Sequence, residues 1–519
     1  MTLSDSGMAT TLLIAAAWPF WAGRFLPFLD LPQHLALSAV IARYSDAATN
    51  FGRFYLLNSH VTPYVGFYAS MHLLTQSGLG VVTAGRLLLT LYAIGLPLGA
   101  AYLLTTLGRD WRWAVFTLPL IYHANLFWGF AGFLLSLPLF LVALALACRT
   151  LSATRPTWPD SCRLAGVVTL VSLFHAQTYA LLGACVLVLF AAHWHGWRWA
   201  ARCAAPFALS VLLFVPWAGR SFIVAPASAA TTSDATIGGR PTRSLTRYEP
   251  VPVALSAIPE RLVGAYTDGS DYRIAAALLV LFLVAVVSGR NPRPQGLRAA
   301  LVERRGEALS VLLVASYVVT PIELAGQWYV SPRHLIFAAL LAPAWIARPA
   351  AGSRRVIVPL VAVVALWASV NATGKVRAFQ DQVGPFADVL DRMQPGKRVM
   401  SLIFDRGDHG PVRYWPFLHW GCYYQVEKGG DVSFSFAGVP STATAAAHAM
   451  PVRYRAGMAP PRPNEWRPWE FRWDTMGAAY DYFLIRGQPA GDATRLADHA
   501  DLLVRNREWE LWQRRGGDQ

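Results

Sequence analysis

Eleven apolar runs decide what this chain can fold into. They lie near residues 8–28, 84–106, 113–129, 131–148, 164–176, 178–193, 203–218, 273–289, 307–322, 331–347 and 356–371. About 20 consecutive apolar residues suffice to cross a bilayer as a helix. A chain built from many such runs reads as a polytopic α-helical membrane protein. Composition agrees, because 14% of the residues are charged, against about 25% in soluble domains.

The net charge is +15. Residues 373–519 hold 19 Lys and Arg against 17 Asp and Glu, so nearly all of the excess belongs to residues 1–372. There the basic residues gather in links between apolar runs: Arg109 and Arg112; Arg149, Arg155 and Arg163; Arg198 and Arg202; "GRNPRPQGLRAALVERRG" (289–306); and "RPAAGSRR" (348–355). Lys and Arg collect on the cytoplasmic side of membrane proteins. With about eleven spans, that alternation puts the N-terminus inside and the C-terminus outside. Dispersed basic links are a poor nucleic-acid footprint, which would cluster on one soluble face. No Lys or Arg precedes Arg24, so the first apolar run reads as a retained span rather than a cleaved signal. Stretch 164–193 is short for two spans. It reads as a helical hairpin lining a cavity, with its tip near His175 and Gln177.

Two units follow. Residues 1–372 form the membrane unit. Its first outer loop, 29–83, carries two expected interfacial helices, in "LPQHLALSAVIARY" and "TPYVGFYASMHLL". Its second, 219–272, is rich in Ser, Thr, Ala and Pro and has the composition of a mobile loop. Residues 373–519 read as a small extracytoplasmic α/β domain: "PFADVLDRM" as a helix, then "KRVMSLIF", "YDYFLIRG" and "EWELWQRR" as strands. The tail holds one cysteine, Cys422, so no disulfide forms within it. No CxxC or His/Cys ligand spacing points to zinc.

The membrane unit has 13 acidic residues. A carboxylate fixed at the end of a span costs desolvation energy unless it has a partner or lines a wet cavity. Asp30 ends the first span, Asp268 and Asp271 precede another, and Glu323 ends a third. Asp30 also suits ordinary helix capping, with Pro32 in the first turn. His34 follows it by four residues. Arg333 sits at the outer end of a span beside His334, with Arg86 and Arg220 at similar depth. Any of these arginines could equally be snorkelling to lipid headgroups. "WPFLHWGCYYQVEKGG" (415–430) packs aromatic residues closely enough to form either a core or a sugar-stacking surface.

A first span ending in an acid, a loop with two interfacial helices, and a second span opening with Arg in "TAGRLLLTLYAIG" resemble the GT-C superfamily of polytopic glycosyltransferases. Protein O-mannosyltransferases and lipid A aminoarabinose transferases are members. The resemblance implies transfer of a sugar from a polyprenyl-phosphate donor to an envelope glycan, lipid or protein, on the outer face of a bacterial-type inner membrane. It gives Asp30 the role of catalytic base or metal-binding acid. It leaves a divalent metal open and names no other cofactor. The sequence departs from several members in having one Asp there and not an acidic pair. Sugar transfer needs a base for the acceptor hydroxyl and a cation for the leaving phosphate, for which the planar fork of Arg is suited. The expected substrate-binding set is therefore His34, Arg86, Arg333 and His334.

Two other classes compete: a non-catalytic transporter or flippase, and a polysaccharide polymerase or ligase. The first would carry paired ionisable residues at mid-bilayer and an internal repeat, and neither stands out. The second would rarely carry a tail of 147 residues (373–519). The orientation has a direct test. A reporter active only outside the cytoplasm should be active when fused after Gln519 and silent after Arg298, and the reverse at either site would end the eleven-span reading.

Overall fold

The computed structural model describes residues 3–58, 60–219, 236–237, 240–241, 246–289, 296, 301–324, 327–347, 351–438, 450–487 and 495–516. Arg220 and much of the first half of the Ser/Thr-rich loop, 220–235, 238–239 and 242–245, lie outside the described residues. Among the described residues five helices are long and apolar enough to cross a membrane: Val81–Thr106, Ala131–Ser152, Trp197–Gly219, Ser270–Ser288 and Gly352–Val383. Helices Val81–Thr106 and Ala131–Ser152 form the closest pair. A Cβ on Gly99 would lie 3.1 Å from the Pro138 carbonyl oxygen, and one on Gly95 3.2 Å from the Pro138 side chain. Small residues let helices approach this closely where no hydrophobic drive separates protein from lipid.

Several of the eleven runs are not single helices, which corrects their reading as full spans. Run 113–129 is three short pieces, Trp111–Thr117, Pro119–Tyr122 and Ala124–Phe127. Pro119 interrupts it, the His123 side chain caps the last piece, and Gly129 ends it in a left-handed conformation, φ +79°. Run 331–347 is likewise broken, with Pro332 and Pro343 opening short turns on either side of His334–Leu341. Stretch 164–193 lies within two helices, Trp158–Phe174 and Ala176–Ala192, which meet at an extended His175. The break therefore falls where the sequence places the tip.

The tail carries a five-stranded sheet. Arg398–Ile403 runs parallel to Tyr482–Arg486 on one side and to Asp431–Val432 on the other. Trp509–Arg514 continues it antiparallel from Tyr482–Arg486, and Ala500–Arg505 closes that edge. The three strands and the helix expected from sequence are all present, the helix as Phe386–Asp391. Helix Gly352–Val383 runs unbroken through position 372 into the tail. Trp509 anchors its end, its Nε1 donating to the Val383 carbonyl at 2.7 Å. One buried apolar cluster continues from the membrane helices into the sheet, from Leu134 and Phe140 to Val399 and Leu484.

The first outer loop is built into the tail. Its strand Tyr55–Leu57 pairs antiparallel with Val452–Tyr454. Helix Leu31–Ala42 is buried at nine positions, which corrects its reading as an interfacial helix. Its polar residues meet protein: the Gln33 amide donates to the Phe434 carbonyl and accepts from the Phe436 N–H, at 3.1 and 3.0 Å. The second loop helix, Val65–Gln76, keeps an exposed edge, with Leu73 71% accessible.

A buried polar junction closes the contact. Asp431, fully buried, accepts from the Tyr55 hydroxyl at 2.5 Å and the Tyr454 hydroxyl at 2.8 Å, and pairs with Arg398 at 3.2 Å. Burial pushes its carboxyl up to about 6, against the opposing pull of these donors. A raised carboxyl pKa means that the folded state holds a proton the unfolded state has released. Its contribution to stability is thus full below about pH 4 and lost as pH rises through about 6, at most about 3 kcal/mol. Melting curves of purified protein between pH 4.5 and 7.5 should show this loss. Asp431→Asn should flatten it, and an unchanged slope would remove Asp431 as its source.

Candidate active site

Asp30 is positioned through its backbone. The Leu29 and Asp30 N–H groups donate to the Phe127 and Trp128 carbonyls, both at 3.0 Å. Gly129 makes this possible: a Cβ there would lie 2.7 Å from the Asp30 and Leu31 nitrogens. Asp30 occupies the N-cap position of helix Leu31–Ala42, yet its side chain makes no capping bond. The carboxylate turns to the tail, where His419 Nε2 lies 3.3 Å from Oδ1. The Asp30 side chain keeps 16% of its surface accessible, so it lines a space that a small group can enter.

His419 is stacked flat on Phe434, centroids 5.1 Å apart and rings 12° from parallel. Its Nδ1 is buried without a partner among the described residues. A proton on Nδ1 would have no acceptor there, so the ring presents Nε2–H to Asp30. His34 lies one turn along the helix, its Nδ1 2.8 Å from the Tyr68 hydroxyl. Burial pushes the His34 imidazole down to about 4, against the pull of Asp30, so the ring is neutral at pH 7.

Arg333 reaches the same region from the membrane side. It is 9% accessible and its guanidinium lies 3.9 Å from the Phe130 ring centroid. Among the described residues its side chain makes one long hydrogen bond, 3.4 Å, to the Trp328 carbonyl, and Nε is buried without a partner. Among the described residues no carboxylate forms an ion pair with it within 4.0 Å. Buried charges are ordinarily paired. A guanidinium desolvated against an aromatic ring, with donors to spare, is prepared for an anion.

Aromatic rings cluster between Leu29 and the Phe130 ring on which Arg333 lies. Trp128 packs on Phe130, Tyr329, Tyr414 and Trp415. Tyr329, Tyr414 and Trp415 have φ of 62°, 67° and 51°. Left-handed backbone at non-glycine residues costs about 1–3 kcal/mol each and concentrates at functional sites. Here three of the five positive-φ non-glycine residues of the described chain sit in one cluster beside Asp30.

Asp30, His34 and Arg333 are therefore brought together, and Arg86 and His334 are not. Arg86 donates to the Gly23 and Arg24 carbonyls and lies over Trp21. His334 turns to the Ser316 hydroxyl at 2.8 Å. Asp268 pairs with Lys375 at 2.7 Å, and Asp271 accepts from the Ala265 and Tyr266 N–H groups, so both are structural. In sequence His419 belongs to the aromatic stretch 415–430, readable as a core or a sugar-stacking surface; Trp420, Tyr423 and Tyr424 are buried as core, and nothing in that pattern points His419 to Asp30. No three His, Cys, Asp or Glu residues converge among the described residues to hold a metal. Around Asp30 the only candidates are His419 and a His34 committed to Tyr68, a donor set that does not fit a resident divalent cation.

The fold matches those of solved membrane-protein structures. A structure of ArnT from Cupriavidus metallidurans bound to undecaprenyl phosphate matches with a TM-score of 0.57 at 12% identity, covering 98% of this chain and 97% of that one. ArnT from the same organism in its apo state gives a TM-score of 0.52 at 13% identity, covering 98% of each chain. Arabinofuranosyltransferase AftD from Mycobacteria gives 0.50 at 15% identity; there all of this chain spans 40% of the other. At such identities the likeness is one of fold. No family model and no curated protein matches the sequence.

Proposed function

We propose that this chain is a GT-C glycosyltransferase that moves a sugar from a polyprenyl-phosphate donor to a cell-envelope glycan, lipid or protein on the outer face of a bacterial-type inner membrane. One observation carries the reading: a partly accessible Asp30 carboxylate and a buried Arg333 guanidinium with no ion-pair partner among the described residues flank one cluster of aromatic rings. The ArnT neighbour with undecaprenyl phosphate bound supports a lipid-linked donor. The basic links support an N-in, C-out chain of eleven crossings, in which some crossings are broken helices. On that orientation 373–519 is the extracytoplasmic unit and 1–372 the membrane unit.

In the proposed reaction the acceptor hydroxyl hydrogen-bonds to Asp30. Its oxygen forms the bond to the anomeric carbon, and its proton passes to the carboxylate. The bond from the anomeric carbon to the phosphate oxygen breaks, and polyprenyl phosphate leaves with the electron pair. Arg333 meets the charge that builds on that phosphate, where a desolvated donor acts most strongly. His419 holds the Asp30 carboxylate from the tail side, and the neutral His34 with Tyr68 lines the approach.

Asp30→Asn keeps size and hydrogen bonding and removes the base. In purified, folded enzyme with donor supplied, turnover should fall by roughly 100- to 10,000-fold. Asn caps helices about as well as Asp, so near-normal turnover would leave Asp30 with a structural role alone.

Arg333→Lys keeps the charge and loses the fork. Binding of undecaprenyl phosphate should weaken by about tenfold, the worth of one lost hydrogen bond between charged groups. Unchanged affinity in both Lys and Ala variants would remove Arg333 from the donor site.

A further inference from the structure

Arg86 was expected at the reaction centre and is found elsewhere, at the rim of an open groove of about 500 Å³ between Trp21, Arg24, Phe25, Val82, Arg86 and Glu427. None of Asp30, His34 or Arg333 lines it. We propose that this groove binds the headgroup of an anionic phospholipid of the outer leaflet, as a site separate from the reaction centre.

Three observations point to that ligand. The first is charge. Arg86 uses one terminal nitrogen on the Gly23 and Arg24 carbonyls and makes no other hydrogen bond among the described residues; its Nε is buried and unpaired. Arg24 is 55% exposed and held by Glu427 at 3.1 Å. Arg43 stands behind Glu427, donating to its backbone carbonyl at 3.4 Å, so cations outnumber the one acid. The second is the helix that enters here. Helix Val81–Thr106 begins at Gly80 with no side-chain cap and no acid in its first turn, and its Val82 lines the groove. Its free N–H groups add to the positive field. The third is the apolar surface leading away. Ile14, Trp18 and Trp21, spaced four and three residues apart on one helix face, are 62%, 52% and 39% exposed. Exposed tryptophans at a span end mark the headgroup level of a bilayer. A lipid with its phosphate between Arg24 and Arg86 would lay its chains along that stripe. Glu427 would be the group that the phosphate displaces from Arg24.

The test uses the full-length protein in an uncharged detergent, with native mass spectrometry of bound phosphatidylglycerol or phosphatidylcholine carrying the same acyl chains. Phosphatidylglycerol should be retained in preference. Arg24→Gln should weaken that retention by about fivefold, the worth of one cation at a lipid surface. Glu427→Gln should strengthen it. Both side chains reach solvent, and a melting curve checks that each variant folds; if one fails, the other decides, because their expected effects have opposite sign. Equal retention of the two lipids, or variants that leave it unchanged, would overturn the site. A final arm adds millimolar inorganic phosphate. Retention that persists supports the lipid, whereas displacement by phosphate alone would assign the groove to a free anion and overturn the lipid reading.

Discussion

The burial of helix Leu31–Ala42 between the membrane helices and the tail is the constraint on which the site depends. A buried amide must have its hydrogen bonds made within the protein. Gln33 has both of its own made by the backbone of Phe434 and Phe436. That pairing works at one register only. It holds Asp30 at the same time against the Trp128 carbonyl on the membrane side and against His419 on the tail side. Sliding the helix by one residue would break an amide pair in the core as well as move a carboxylate, so the two are energetically tied.

Charge balance explains why this region is poised for a ligand. Several partly buried charges elsewhere are neutralised: Lys375 by Asp268, Arg261 by Glu249, Arg354 by Asp110. At the candidate site it does not. Arg333 has an aromatic face and one long bond to a carbonyl, and Asp30 has a histidine in place of an Arg or Lys. Bringing Arg333 and Asp30 into direct contact would cancel both and close the space. The fold instead leaves them without an ion pair to each other, beside a cluster of rings of which three sit on strained backbone. An uncompensated buried charge is destabilising by several kcal/mol, a cost that a bound phosphate would offset.

The membrane class, the tail strands and two members of the site were readable in sequence for distinct reasons. Apolar runs report lipid-length helices whatever their neighbours. The tail strands announce themselves by aromatic and β-branched content. Asp30 and Arg333 stood out because charges are scarce at span ends. What failed were inferences about which surface a residue faces. Helix Leu31–Ala42 looks amphipathic because His34, Ser38 and Arg43 punctuate it, and sequence cannot tell a face bound by protein from a face bound by headgroups. Arg86 is the same residue type as Arg333, but the backbone carbonyls of Gly23 and Arg24, at the end of the first apolar run, claim it. His419 was hidden because stacking rings dominate its neighbourhood, and only the fold brings a tail residue 389 positions from Asp30 to within 3.3 Å. The runs that break into short pieces contain Pro119, Pro332 and Pro343, which weigh little in a hydropathy average and decisively in a hydrogen-bond ladder.

The unbroken passage of helix Gly352–Val383 through the compositional boundary changes what the tail is. A domain on a flexible linker could supply binding area but could not hold a side chain in place. Here the helix enters the tail without a hinge, Trp509 locks its end, and the strand Tyr55–Leu57 ties the first loop to the same body. The tail can therefore present His419 to Asp30 with the precision of a core contact. Neither the membrane helices nor the tail contains a whole site: one carries the guanidinium and the carboxylate, and the other fixes where that carboxylate points. In the proposed transferase, the acceptor must then approach between them, along the ring-lined gap where the two halves meet, while a lipid donor reaches Arg333 from the bilayer.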